Sequence, residues 1–216
     1  MYVLNGTKEL KPGKTWIDDN GIQHPGNWAS VWSDDVKASY GIKKVTIQAK
    51  PDSRFYKING PAFDGSWTST AKNIDDVTVT NLDGEKITTL GLKSQWITKT
   101  KETANSLLAP TDWQVIAKAE RDRAIDSNVA TYRAAVITAC TAIEKAITDI
   151  TDTAIPSGYN AAKENPEPTD AEKKIISDYE TEVATKFATF KALFDTPVDS
   201  DGKPTGNAPI NDWPEE

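Results

Sequence analysis

The single histidine and the single cysteine limit the covalent and metal chemistry open to this chain. His24 would have to serve any Ser-His-Asp or Cys-His centre, yet it lies in a turn-like stretch and no G-x-S-x-G motif is present. Cys140 follows Val136 by four residues on an apolar helical stripe, which favours a small buried hydrophobe over a reactive thiol. These counts also exclude an intrachain disulfide, a Cys-based zinc site and a multi-His metal site.

Motifs for other ligands are incomplete. The Asp-Ser-Asp-Gly run at 199–202 begins like a calcium loop, but Lys203 and Pro204 follow where further ligands are needed. The Asp-Asp-Asn-Gly run at 18–21 is incomplete in the same way, and neither glycine-rich nucleotide loop occurs. We therefore expect no catalytic, cofactor-binding or metal-ligating residues, no cofactor and no enzymatic activity.

Tryptophan is the unusual residue type of the first half of the chain. The candidate interaction residues are Trp16, Trp28, Trp32 and Trp67, with Trp213 near the C-terminus. An aromatic surface could bind a protein partner or a sugar, because Trp is enriched at binding hot spots. A small β module could instead fill its core with these large rings. We favour the core interpretation and retain the surface as the alternative.

The charge is uneven along the 216 residues, whose net charge is −7. Residues 1–92 are balanced, 93–150 carry a net +1, and 151–216 carry 6 basic against 14 acidic residues, a net −8. No basic stripe is available to follow a phosphate backbone, so we expect no nucleic-acid partner. The longest apolar runs are only a handful of residues, so we expect no membrane partner.

The first 92 residues read as a small β-rich module with one short helix. Asn-Gly, Pro-Gly and Asp-Gly pairs recur and punctuate short strands. Strands are predicted at Tyr2–Leu4 and at 45–49, where apolar and polar residues alternate, and a hairpin is predicted from Val77–Thr80 and Lys86–Thr89. Ser33 is predicted to cap the short helix, which would end before Gly41.

From residue 93 the apolar residues follow helical spacing. Helices are predicted at about 93–108, 111–120, 128–150 and 170–194, with a linker at 151–168 and an extended C-terminal tail at 196–216. The fold class is therefore α+β, with a helical region at 93–195. The two longest helices could pair as a helical hairpin within one chain or pack against copies in an oligomer, and the sequence alone leaves both open.

Two stretches carry a resemblance to a known group of proteins. The first is Asn20–Trp28 with Gly41-Ile42 downstream, and the second comprises Ser106–Trp113, Lys118–Glu120 and Thr131–Val136. Together they resemble tail-fibre-associated and other virion structural proteins of tailed bacteriophages, marine ones especially. The chain departs from that pattern at Ala117, Asp126 and Ile137, where relatives often have Arg, Pro and Arg, and residues 151–216 lie outside the resemblance.

The resemblance implies a non-enzymatic virion structural protein of the tail, baseplate or fibre-attachment region. It would be assembled in the host cytoplasm, located in the virion, and would act by docking onto other virion proteins and onto further copies of itself. The acidic 151–216 extension is read first as a solvated helix face with a soluble tail, and the alternative is a surface that orients the chain against a basic partner. The alternatives are a tail-fibre assembly chaperone, or a head-decorating or carbohydrate-binding module that uses the tryptophans to bind a host-surface glycan.

Overall fold

A computed structural model describes residues 1–215 of the chain. The fold is α+β, as predicted, with small antiparallel sheets in the N-terminal half and helices in the C-terminal half. The chain forms two compact units: unit 1 is Met1–Lys72 and unit 2 begins at Asn73. No helix of the described residues is long and apolar enough to cross a membrane.

Unit 1 consists mostly of very short strands. Its elements are β1 (Tyr2–Leu4), β2 (Lys8–Leu10), β3 (Trp16–Ile17), β4 (Gln23–His24), α1 (Trp28–Val31), α2 (Asp34–Ser39), β5 (Ile42–Lys44), β6 (Tyr56–Pro61) and β7 (Trp67–Ala71). Strand β1 lies between β2 and β5 in an antiparallel three-stranded sheet, while β3–β4 and β6–β7 form two-stranded pairs. The core cluster on this sheet is Leu4, Leu10, Trp16, Trp28 and Ile42.

The strand predicted at 45–49 is wrong, and β5 ends before it. Val45 still continues the β1–β5 ladder, because it exchanges backbone hydrogen bonds with Met1 at 2.8 and 2.9 Å. Gln48 N–H instead donates to the carbonyl of Gly65, between β6 and β7, at 2.9 Å. A Cβ at Gly65 would lie 2.3 Å from the Thr46 oxygen, so the chain passes over this glycine more closely than a side chain would permit. Beyond Val45, close crossing of two loops therefore replaces sheet pairing.

The predicted short helix is confirmed as α2. The Ser33 hydroxyl accepts from Val36 N–H, and Gly41 follows the helix with φ of +71°. Before it lies a second short helix, α1, that the sequence analysis missed. It is one turn long and its N-cap, Asn27, makes no side-chain capping bond, so the sequence contains no start signal for it.

Unit 2 begins with a hairpin and continues as helices. Its elements are β8 (Val77–Thr80), β9 (Lys86–Thr89), α3 (Leu92–Leu108), α4 (Asp112–Arg121), α5 (Ser127–Thr148), α6 (Tyr159–Glu164) and α7 (Asp170–Ala192), with 3₁₀ turns at Ala109–Thr111 and Pro209–Asn211. All four predicted helices are present, with bounds within about two residues. Helix α6 lies in the segment interpreted as a linker.

The hairpin β8–β9 belongs to unit 2, although composition groups it with the first 92 residues. Leu92 N–H donates to the Asn73 carbonyl at 2.9 Å, and Gly91 N–H donates to the Asp76 carboxylate at 2.7 Å. These bonds join the base of the hairpin to the start of α3. The boundary between the compact units therefore lies at Lys72–Asn73, ahead of the hairpin, rather than after residue 92.

The helices pair as α3 with α5 and as α6 with α7. Lys93 bonds to the Ile150 carbonyl, Lys101 pairs with Glu144 at 3.4 Å, and Arg133 donates to the Leu108 carbonyl, so α3 and α5 run antiparallel. The buried residues of the stripe predicted on α5 are Val136, Ile143 and Ile147. The ring of Tyr159 on α6 meets that of Tyr179 on α7 at 4.5 Å between centroids, tilted by 58°. A capping box of Thr169 and Glu172 starts α7, as predicted.

The C-terminal segment is more ordered than the predicted extended tail. Val198 and Pro204 form an isolated β-bridge, and a 3₁₀ turn follows at Pro209–Asn211. Ile210 is buried and donates its N–H to the Leu193 carbonyl at 3.0 Å, which ties the segment to the end of α7. The extended-tail prediction therefore fails for residues 198–211, because burial of Ile210 anchors the chain.

Candidate interaction surface

The structure separates the predicted tryptophans into core and partly exposed residues. Trp28 is 0% exposed and Trp16 is 6% exposed, so neither presents an aromatic surface. Trp28 also donates its indole N–H to the Lys14 carbonyl at 3.2 Å. Trp32 and Trp67 are half-buried. The core interpretation therefore holds for Trp16 and Trp28, which are removed from the candidate interaction residues.

Three aromatic rings of unit 1, those of Trp16, Trp32 and Tyr40, pack around the only histidine. Trp16 stacks on His24 with ring centroids 4.4 Å apart, and Trp32 stacks on Tyr40 at 4.9 Å. The edge of Tyr40 meets His24 at 4.9 Å and joins the two stacks. Trp16 and His24 are buried, Trp32 is half-buried, and Tyr40 is exposed, so only Trp32 and Tyr40 reach solvent.

His24 is held by a local carboxylate. Its Nε2 lies 3.1 Å from Asp18 Oδ2, while Oδ1 of the same carboxylate accepts the backbone N–H groups of Ile22 and Asn20, each at 2.9 Å. The Ile22 N–H group, then His24 and Asn20, lower the pKa of Asp18. The predicted local hydrogen bond of the His24 ring is confirmed, but the residue does not lie in a turn. It belongs to β4, is paired with Trp16 of β3, and its ring is buried between Trp16 and Asp18.

The lowered pKa of Asp18 makes the stability of unit 1 depend on pH. A carboxyl whose pKa is lower in the folded than in the unfolded state stabilises the fold above the unfolded value, and that contribution disappears as the pH falls through the folded value. Asp18→Asn should therefore lower the melting temperature of unit 1 at pH 7. Thermal unfolding of both proteins from pH 7 down to pH 2 should show this difference shrinking with acidity. A difference that stayed constant would contradict this role of the ionised carboxylate.

Cys140 is partly buried on α5 and points its thiol at a carboxylate. Its Sγ lies 3.2 Å from Glu144 Oε1, and burial followed by the Glu144 carboxylate raises the pKa of the thiol to about 11. Thiolate is the reactive form of cysteine, so the raised pKa lowers the reactive fraction of this side chain at neutral pH. The prediction that Cys140 is not a reactive thiol agrees with this environment, but the predicted small buried hydrophobe is only partly buried.

Alkylation kinetics test the state of this thiol. At pH 8 the raised pKa leaves Cys140 far less ionised than an ordinary thiol, but its thiolate is also more nucleophilic, so iodoacetamide should label native protein roughly 10-fold more slowly than denatured protein. Glu144→Gln should accelerate labelling, because it removes the neighbouring negative charge. Equal rates for native and denatured protein would contradict the assignment.

The hairpin β8–β9 presents an uncovered apolar face. In its register Val79 faces Ile87 and Val77 faces Thr89, which places three aliphatic side chains on one side. Every residue of both strands is exposed, with Val79 at 54% and Ile87 at 51%, and Leu82 at the tip is fully exposed. On the opposite side Thr78 and Thr88 join their hydroxyl groups at 2.8 Å. Within residues 1–215 no third strand pairs with this hairpin.

The base of the hairpin is firmly held. Asp76 accepts from Gly91 N–H and, at 3.0 Å, from the Ser94 hydroxyl. Lys93 donates to Asp75, to Asp152 and to the Ile150 carbonyl. Burial acts to lower the pKa of Lys93, but its two carboxylate partners raise it overall, so the ammonium stays charged. Hydrogen bonds and ion pairs therefore hold the base of the two strands in place.

Two further apolar surfaces lie in unit 2. Helix α4 buries none of its residues, and it exposes Trp113 and Ile116 about half, on one face because they are three positions apart. Trp213, one of the candidate interaction residues predicted from the sequence, lines an open groove of about 680 Å³. Small side chains of α5, among them Ala139 and Ala142, form the other wall.

Comparison with known proteins adds no relative. No protein-family model, curated protein or solved structure matches this chain. The sequence predicted the hairpin β8–β9 but not the exposure of its apolar face. The Val-Thr alternation is the same whether another element covers that face or not.

Proposed function

We propose that the protein is a non-enzymatic structural component of a tailed-phage virion that acts by docking onto neighbouring subunits. The observation that carries this proposal is the set of ordered elements whose apolar side chains are uncovered. Strands β8 and β9 and helix α4 bury no residue of their own. Scattered exposed apolar residues are ordinary, but whole elements that bury nothing are typical of surfaces completed by a partner.

The assignment to a virion depends on the resemblance in residues 20–42 and 106–136. Tail, baseplate and fibre-attachment proteins work by stable contact with several neighbours, which suits the uncovered elements of unit 2. The net −8 of residues 151–216 would orient the chain toward a basic neighbour before contact, because complementary charge accelerates encounter more than it adds affinity.

The carbohydrate-binding alternative loses part of its basis in the structure. Two of the four N-terminal tryptophans are in the core, which leaves Trp32 with Tyr40 as the aromatic pair that reaches solvent. Trp67 donates its indole N–H to the Gln48 carbonyl at 2.9 Å, and the Lys50 ammonium lies 5.9 Å from its ring centroid. We therefore propose docking to proteins rather than to a glycan.

Quantitative mass spectrometry of salt-washed, density-purified particles tests the virion assignment. The particles should come from the phage whose genome encodes this chain. We expect the chain at a fixed stoichiometry relative to the other tail proteins. Abundance in the infected lysate combined with absence from washed particles would contradict the proposal and would favour the assembly chaperone instead.

A further inference from the structure

We propose that the free edge of β8 pairs antiparallel with β8 of a second copy of this chain, which makes a two-fold dimer through a four-stranded sheet in the order β9-β8-β8-β9. This inference rests on the proposed function, because it names the first docking partner of that surface. The argument depends on the backbone of the hairpin, on the composition of its edge and on the charges around it.

The backbone groups of β8 that are available for pairing follow from the hairpin register. Asn81 N–H donates to the Glu85 carbonyl at 2.9 Å, so this pair is hydrogen-bonded. Bonded and non-bonded pairs alternate along an antiparallel ladder. Val79 and Val77 therefore direct their N–H and C=O groups toward β9, while those of Thr78 and Thr80 point outward. The close hydroxyl contact between Thr78 and Thr88 agrees, because side chains approach most closely at non-bonded pairs.

The edge of β8 lacks the features that normally prevent strand addition. Its sequence is Val-Thr-Val-Thr, with no charge and no proline, and its pairing with β9 has no bulge. Natural edge strands are usually protected by such features. Unit 1 provides a contrast, because β6 carries Lys57, ends at Pro61 and has an irregular register between Ile58 and Pro61. An isolated two-stranded hairpin is also only marginally stable in water, so further strands would stabilise it.

The charges around β8 favour one register of self-pairing. With the two-fold axis at Thr78, that residue faces Thr78 of the second copy and exchanges both backbone bonds with it. Thr80 then lies opposite Asp76, and Asn81 lies opposite Asp75, so no carboxylate faces another. Moving the axis to Val79 would place Asp75 opposite Asp83, and like charges directly opposite destabilise a sheet. The strand is thus chemically complementary to itself.

Self-pairing also organises the apolar side of the hairpin. A two-fold axis perpendicular to the sheet keeps Val77, Val79 and Ile87 of both copies on the same side, which doubles the exposed apolar surface. The base of each hairpin is already held by Asp76 and Lys93, so little conformational entropy is lost on pairing. The dimer therefore presents one continuous apolar sheet face to the next component of the assembly.

Analytical ultracentrifugation of the full-length chain tests the dimer. We expect a species of twice the chain mass whose dissociation constant rises at least ~10-fold in Thr78→Lys, because the two introduced ammonium groups would face each other across the axis. Thr88→Lys is the matched control. It loses the same hydroxyl contact, but its two copies are about 14 Å apart, three strand spacings, and should change the constant less than ~2-fold.

Cross-linking provides a second measurement that does not depend on affinity. Thr78→Cys and Thr88→Cys, each combined with Cys140→Ala, should be treated with a bismaleimide that spans about 8 Å. Position 78 should give covalent dimers, because paired Cα atoms lie about 5.5 Å apart, and position 88 should not. A wild-type chain that stays monomeric at its solubility limit, or a dimer equally sensitive to both lysine variants, would overturn this inference. The virion assignment would stand or fall separately on the particle composition.

Discussion

Replacing the apolar pair on the hairpin with an opposite-charge pair should remove the chain from the assembly without unfolding it. In Val79→Lys combined with Ile87→Glu, the two new side chains face each other in the β8–β9 register and can pair, so the hairpin should persist. Both positions are more than half exposed, and surface changes of this kind cost within about 0.5 kcal/mol each. The chain in purified particles should fall at least ~10-fold, because a charged face cannot be covered by an apolar partner.

The control for that experiment is on the same hairpin. Thr88→Glu introduces a charge on the face of the hairpin opposite to Val79 and Ile87, which stay in place. Thr88 lies on β9, the second strand from the proposed dimer axis. We expect its incorporation to stay within ~2-fold of the wild type, since the apolar face is intact. If both variants assembled like the wild type, the hairpin face would not be a docking surface.

Trp28→Ala should unfold unit 1 or come close to doing so. The side chain is fully buried, meets the ring of Tyr2 edge-on at 5.1 Å and donates its indole N–H to Lys14. Truncating a buried Trp costs about 3–5 kcal/mol, and a unit of this size has about 4–11 kcal/mol in total. Scanning calorimetry should show the transition of unit 1 lowered by at least about 12 °C or lost, with that of unit 2 retained.

Trp67→Ala provides the matched truncation for Trp28. It removes the same indole from the same unit, at a half-buried position whose ring lies beneath Lys50. The loss of stability should be less than half of that at Trp28, because less apolar area leaves water at this site. Equal losses at the two positions would contradict the assignment of Trp28 to the core and Trp67 to the periphery.

The elements that could be predicted from the sequence are those with strong local signals. The hairpin was predicted with its observed bounds, since Gly84 adopts the positive φ that the loop between β8 and β9 requires. The start of α7 was predicted from the capping box of Thr169 and Glu172, and that of α2 from Ser33. In each case a few neighbouring residues determine the backbone, so tertiary contacts are not needed to recognise it.

The missed elements depend on contacts that are distant in sequence. The alternation at 45–49 resembles a strand, but only Val45 continues the β1–β5 ladder, and Gln48 bonds to Gly65 between β6 and β7. Helix α6 is six residues long and is stabilised by Tyr159 against Tyr179 of α7, a contact between different elements. Such short helices have little intrinsic stability, so their sequences carry only a weak signal.

The same limit applies to the candidate site. Local pattern identified the tryptophans but could not separate Trp28, which fills the core, from Trp32, which reaches solvent. It predicted the hairpin but not that Val79 and Ile87 stay uncovered. Whether an apolar face is buried depends on every element that could pack against it. It can therefore be determined only from the complete fold.

Oxidative footprinting of the chain in purified particles and in free solution tests the central claim most directly, that the uncovered apolar elements are docking surfaces. Hydroxyl radicals should modify Leu82, Ile87 and Trp113 several-fold less in the particle than in the free chain, while the buried Trp28 should be modified equally little in both. Equal modification of Leu82, Ile87 and Trp113 in the two samples would contradict the claim, since it would show these side chains still facing solvent in the assembly.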